Sequence, residues 1–177
     1  MRAFARGALL LAVALALGVA ACGKAAMPGS LGHPLEGAEA PRFTAESTVD
    51  GEVGIPGNER TAVTVVDFWA SWCEGCRQTL PALDVLYREH KGEGVEIIGV
   101  CLDENEGDAR ALLESLDTSF PMVLDPSMRL DRAYRAYSIP LTFVIDREGL
   151  VRWAGRDPAR VREVVEVLLA EPRTEAR

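Results

Sequence analysis

Residues 62 to 69 read Ala-Val-Thr-Val-Val-Asp-Phe-Trp, a β-branched and aromatic run interrupted by one acid, and four residues after Trp69 come Cys73-Glu74-Gly75-Cys76. A run of this composition predicts a buried strand. Past the cysteines, Leu80, Leu83, Leu86 and Tyr87 recur at helical spacing until Gly92 and Gly94 stop them. Cys73 therefore lies just past a buried strand, at or near the first turn of a helix.

The rest of the chain fits this frame. A glycine-rich, irregular stretch from Ala40 to Arg60 predicts a short hairpin, and Val95 to Leu102 a second buried strand. Leu112, Leu113 and Leu116 mark a helix, and Phe120 to Leu124 a short extended stretch. A helix starting at Pro126 or Ser127 is expected to reach about Tyr137. Leu141–Ile145 and Leu150–Trp153 flank Asp146-Arg147-Glu148-Gly149, a hairpin turn, and Asp157-Pro158 supplies the N-cap and first residue of a last helix. The order describes one α/β domain with a mixed central β-sheet flanked by helices, over residues 40–170.

What precedes that domain reads as an address. Arg2 and Arg6 lead a run from Gly7 to Ala21 without charge, shorter than the roughly 20 apolar residues of a bilayer span. Val19-Ala20-Ala21-Cys22 resembles the bacterial lipobox, which implies a signal peptide over 1–21, lipid attachment at Cys22 and a periplasm-facing lipoprotein of the outer or inner membrane. Residues 22–39 are expected to be a flexible tether, being rich in glycine and proline and poor in large apolar side chains, and 171–177 a charged tail. Cleavage leaves 156 residues, enough for one cored domain. Loss of the two arginines takes the formal charge from -8 to -10, which disfavours nucleic acid as a partner.

Three thiols then remain: Cys73, Cys76 and Cys101. A zinc site needs four ligands, yet the chain offers one close cysteine pair, a separate cysteine and two histidines, His33 and His90. A permanent staple is the second reading, although a ring this small constrains little chain entropy. Thiol-disulfide exchange is the third: a cysteine near a helix start is favoured as thiolate, and a second sulfur in the same turn can resolve a mixed disulfide. Neither a metal nor another cofactor is expected. Cys101, on a strand, reads as a small hydrophobe.

The block Val66 to Cys76 resembles the active-site strand and helix of the thioredoxin superfamily, and more narrowly its membrane-tethered bacterial thiol-disulfide oxidoreductases, the group that includes cytochrome-maturation proteins. Ala40-Pro41-Arg42-Phe43, Gly99 to Asp103, Phe120 to Asp125 and Tyr134 to Asp146 resemble further blocks of that group, in the same order. The resemblance implies a thioredoxin-like domain in which Cys73 attacks, Cys76 resolves, the two form a redox-active disulfide, and Pro140 is a cis-proline lying against them. Asp67 takes the place of a buried acid, and burial that raises its affinity for a proton suits its carboxylate to take one from Cys76. Trp72 is expected to cover the edge of the site. Pro81 should kink its helix, since it lacks an N–H.

The implied function is exchange with cysteine pairs of exported proteins or apocytochrome c, by a monomer recharged from an upstream membrane redox donor. Two other classes compete. A peroxiredoxin-like peroxidase shares the core fold, but its pattern places threonine and proline where Ala70 and Val66 stand. A two-cysteine, one-histidine copper chaperone needs a downstream histidine, and none follows His90.

Overall fold

The computed structural model describes residues 27–49, 51–55 and 57–172. The expected signal peptide and Cys22 lie outside the described residues, as do positions 173–177 of the expected tail.

Strands β1 (Phe43–Glu46) and β2 (Glu52–Ile55) pair antiparallel as a separate hairpin. Then follow β3 (Val63–Trp69), α1 (Cys76–His90), β4 (Val95–Cys101), α2 (Glu106–Leu116), β5 (Met122–Leu124), α3 (Arg129–Tyr134), β6 (Leu141–Asp146), β7 (Val151–Gly155) and α4 (Pro158–Ala170). The five-stranded sheet runs β5-β4-β3-β6-β7, with β3, β4 and β5 parallel and β6 and β7 antiparallel to their neighbours. This is the mixed sheet expected from the sequence, in a thioredoxin-like domain.

Every residue of β3 is buried, which is what a central strand covered on both faces requires. Successive side chains point to opposite faces. Val63, Val65 and Trp69 join Leu80, Leu83 and Leu86 of α1 and Val161, Val164, Val165 and Leu168 of α4 in one core layer. Val66 and Phe68 meet Phe143, Tyr134 and Phe43 in the other, beneath α3 and the β1–β2 hairpin. Asp67 therefore shares its face with Val65 and Trp69, the face that α1 covers.

Two expectations are corrected. The tether ends before residue 39, because the chain is docked from Met27 onward. Met27 N–H bonds to the Arg152 carbonyl (2.8 Å), Leu31 N–H to Ala154 (2.9 Å) and Gly37 N–H to Val151 (2.8 Å), and Val151 N–H bonds back to Ala38. The segment thus covers the open edge of β7, where unpaired backbone groups would otherwise sit. Helix α3 is also shorter than expected at both ends. The Asp125 carboxylate accepts from the N–H groups of Arg129, Leu130 and Asp131 (2.9, 2.7 and 3.0 Å), so the helix starts only where that cap reaches. Arg135, at φ 54°, turns the chain left-handed and ends it.

At the other end of the chain, Glu171 pairs with the buried Arg152, Nη2 to Oε1 at 3.0 Å, so the tail begins as part of the fold.

Candidate active site

The cysteine turn leaves the carboxyl end of β3 and is held there by β4. Asp103, two residues past β4, accepts from Ser71 N–H (2.9 Å) and Ser71 Oγ (3.1 Å), while Leu102 N–H bonds the Trp69 carbonyl (2.9 Å). Helix α1 begins at Cys76 with Gly75 as its N-cap, so Cys73 lies in the turn before the helix and Cys76 is its first residue. The Cys76 N–H, at the head of the helix, donates to the Cys73 carbonyl at 3.1 Å and lies 3.2 Å from Cys73 Sγ as well. A donor so placed, with the positive end of the helix dipole behind it, stabilises negative charge on that sulfur.

Cys73 and Cys76 are joined as a disulfide. Cys73 keeps 7% of its surface exposed and Cys76 none, so an incoming group meets Cys73 first. Trp72, beside it, is 71% exposed and flanks a groove of about 570 Å³ with Ser71, Leu102, Glu104 and Met128. The tryptophan thus stands exposed beside Cys73.

The Ile139-Pro140 peptide is cis. A Cβ built on Gly75 would meet Pro140 Cδ at 3.1 Å, which places the proline ring directly against the cysteine turn. Gly75 itself has φ -61° and ψ -33°, an ordinary helical conformation. Its lack of a side chain serves the close approach of Pro140, and not a backbone shape closed to other residues.

Asp67 is fully buried, and desolvation pushes its carboxyl up to about 7, opposed in part by a hydrogen bond from Thr142 Oγ1 to Oδ1 at 2.6 Å. Its other oxygen, Oδ2, has no hydrogen-bond partner. A buried carboxyl with one free oxygen, on the face covered by the Cys76 helix, can hold a proton near neutral pH. Cys101 Sγ–H donates to Asp103 Oδ2 at 3.2 Å, and burial pushes that thiol up to about 12. This keeps the third cysteine protonated.

The structure therefore brings Cys73, Cys76, Pro140 and Trp72 together at one end of the sheet, with Asp67 beneath. Sequence reasoning missed Asp103, Thr142 and Arg156. Asp103 had a signal, because acids just past the carboxyl ends of parallel strands often serve sites there. Thr142 could have been found from the strand register that pairs it with Asp67. Arg156, whose Nε bonds the Pro140 carbonyl at 3.0 Å, had no signal in sequence. Among the described residues, no three His, Cys, Asp or Glu side chains group as a metal centre would need, and no helix is long and apolar enough to cross a membrane.

Comparison with known proteins agrees with this arrangement. The model of the AhpC/TSA family matches residues 37–154. The thiol-disulfide oxidoreductase ResA of Bacillus subtilis is 33% identical over 116 residues, 66% of this chain and 64% of the relative, so the match spans somewhat under two thirds of that protein's length. Among solved structures, a Chlorobium tepidum protein proposed as the thiol:disulfide interchange protein DsbE superposes with a TM-score of 0.64 at 32% identity, covering 74% of this chain and 92% of that one. The thioredoxin domain of a Bacteroides vulgatus thiol-disulfide oxidoreductase gives a TM-score of 0.67 at 24% identity, over 76% and 97%, a likeness of fold.

Proposed function

The chain belongs to the AhpC/TSA family, and on that premise we propose that it is a thiol-disulfide oxidoreductase acting on cysteine pairs of other proteins. One observation carries the reading: a Cys73–Cys76 disulfide in which Cys73 keeps a small exposed surface and Cys76 none, packed against a cis-proline loop. In the reduced protein, the Cys73 thiolate attacks a target disulfide, forming a mixed disulfide and releasing the target's other sulfur as thiolate. Cys76 then gives its proton to Asp67 and attacks the Cys73 sulfur. The target leaves with both electrons as a dithiol, and the Cys73–Cys76 disulfide forms. The reverse sequence oxidises a dithiol.

The names of the matched relatives, ResA and DsbE among them, support exchange over peroxide reduction. In our reading the targets are exported proteins or apocytochrome c, the protein is a monomer facing the periplasm, Cys22 carries the lipid anchor, and a membrane redox donor recharges the pair. The test is Cys76→Ser in the full chain. Mixed disulfides should accumulate on Cys73 in the cell envelope, and identifying the attached proteins names the targets. No trapped protein, together with thiol-dependent peroxide consumption by the wild type, would replace the exchange reading by the peroxidase.

A further inference from the structure

Two buried polar atoms of β3 lack a hydrogen-bond partner and are of opposite kind: the acceptor Asp67 Oδ2 and the donor Trp69 Nε1. Residues two apart on a strand point the same way, so both side chains stand on the face that α1 covers. The indole is also turned back toward the acid. Across the β3–β4 ladder Asp67 faces Gly99, and a Cβ built on Gly99 would lie 3.0 Å from Trp69 Nε1. That place is one strand spacing, about 4.8 Å, from the acid's own Cβ. A side chain at position 99 would crowd the indole N–H out of it. Buried donors and acceptors without partners are rare and costly, and a complementary pair on neighbouring positions is rarer still.

The other groups around Asp67 are engaged elsewhere or uncharged. Thr142 reaches Oδ1 from β6, α4 meets this face with valines and a leucine, and α1 brings the Cys76 sulfur. Asp84 of α1 is held by Ser119 and Arg88, and Asp103 by Ser71 and the Cys101 thiol. Desolvation and the Thr142 bond set the acid's affinity for a proton, with no charged neighbour among the described residues contributing.

We propose that Trp69 is a positioning residue for the proton transfer from Cys76: its indole N–H becomes the hydrogen-bond donor to Asp67 Oδ2 when the acid ionises, complementing Thr142 on Oδ1. The inference rests on the exchange reading above and adds a residue to it. A donor to the charged form favours that form, so Trp69 opposes desolvation and keeps the carboxylate available as acceptor. When Cys76 gives up its proton, that proton goes to Oδ2 and the indole bond is released. The Cys76 thiolate then attacks the Cys73 sulfur of the mixed disulfide, and the target's sulfur leaves with the electron pair of the broken bond.

The test uses the full chain labelled in its indole nitrogens, in the oxidised form, where Cys73 and Cys76 are joined and carry no thiol to titrate. The Trp69 indole signal, assigned by elimination with Trp72→Phe and Trp153→Phe, should move downfield between pH 5 and 9. Its midpoint should equal that of the Asp67 carboxyl carbon, and the movement should vanish in Asp67→Asn. Trp69→Phe should raise the Asp67 midpoint by about one unit, the scale of one hydrogen bond to a charged group. Reduction of a peptide disulfide by that variant should then be about tenfold slower at pH values below both midpoints, and equal to wild type above them. A rate lowered alike at every pH overturns the proposal, since that is what a purely structural role predicts. So does an indole signal indifferent to Asp67 ionisation, which decides the matter even where Trp69→Phe does not fold. An Asp67 midpoint unmoved in folded Trp69→Phe overturns it too, and each of these results leaves the exchange reading standing. A wild-type protein with the coupled titration but inert toward the peptide overturns the exchange reading, and with it the part of Trp69 in the reaction.

Discussion

Thr142 and Asp67 face each other across the β3–β6 ladder, the threonine hydroxyl donating to Oδ1 at 2.6 Å and leaving Oδ2 unpaired. Burial raises the Asp67 carboxyl, and this bond holds it partly back.

The Asp67 carboxyl rises from 3.8 to about 7 on folding. The native state thus holds a proton that the unfolded chain releases, and the resulting stability is present below about pH 4 and lost as pH climbs through 7. At about 1.36 kcal/mol per unit, the loss is of the order of 4 kcal/mol. Asp67→Asn should remove this slope, leaving the protein more stable than wild type at pH 8, as denaturant unfolding from pH 4 to 8 would reveal. The same variant should slow disulfide exchange by up to about a hundredfold near neutral pH, because Cys76 loses its proton acceptor. Unchanged pH-dependent exchange rates would remove Asp67 from the reaction.

Thr142→Val keeps the side-chain shape and removes the donor that holds the Asp67 carboxyl down. The midpoint of Asp67 titration, followed by carboxyl-carbon NMR, should move upward, and the pH midpoint of exchange should move with it. A midpoint that stays in place would show that desolvation alone governs the acid.

Cys101 is buried, with its thiol raised to about 12 and donating to Asp103. Iodoacetamide at pH 8 should therefore leave it unmodified in the folded protein and label it once denaturant is added. Asp103→Ala should cost more than Cys101→Ala, about 2 to 3 kcal/mol against about 1, because it strands two donors of Ser71 as well as the thiol. Unfolding curves of the two variants would give the order directly.

Gly75→Ala introduces a methyl 3.1 Å from Pro140 Cδ at a backbone conformation that alanine accepts. Any cost is then steric. We expect a loss of about 1 kcal/mol in the oxidised protein, with the Pro140 loop displaced. Stability equal to wild type would mean that the loop yields freely.

The periodic parts of the chain were legible before the structure. The β3 run, the Leu80–Leu83–Leu86 spacing of α1, the Asp146–Gly149 turn and the Asp157-Pro158 helix start each carry their own local signal, and each forms where it was expected. What stayed hidden depends on contacts distant in sequence. Residues 27–38 dock through backbone hydrogen bonds, which any composition can make, so their glycines and prolines read as a tether. The start of α3 is set by a carboxylate four to six residues upstream, beyond the reach of ordinary capping patterns. Within the site, the cysteines, Asp67 and Pro140 announced themselves as residues out of character with their surroundings. Arg156 and Thr142 are ordinary residues for their positions, and only the pairing of strands brings them to Pro140 and Asp67.

The docking of Met27 onto β7 also sets a length. With the anchor proposed at Cys22, only residues 23–26 remain between the lipid and the folded body, at most about 14 Å of extended chain. That is comparable to the radius of gyration of a domain this size, also about 14 Å. So anchored, the protein would roll at the bilayer surface without swinging out into the compartment. It would collect its partners from a thin shell of space beside the membrane, so that encounter in two dimensions, more than affinity, governs which proteins it meets.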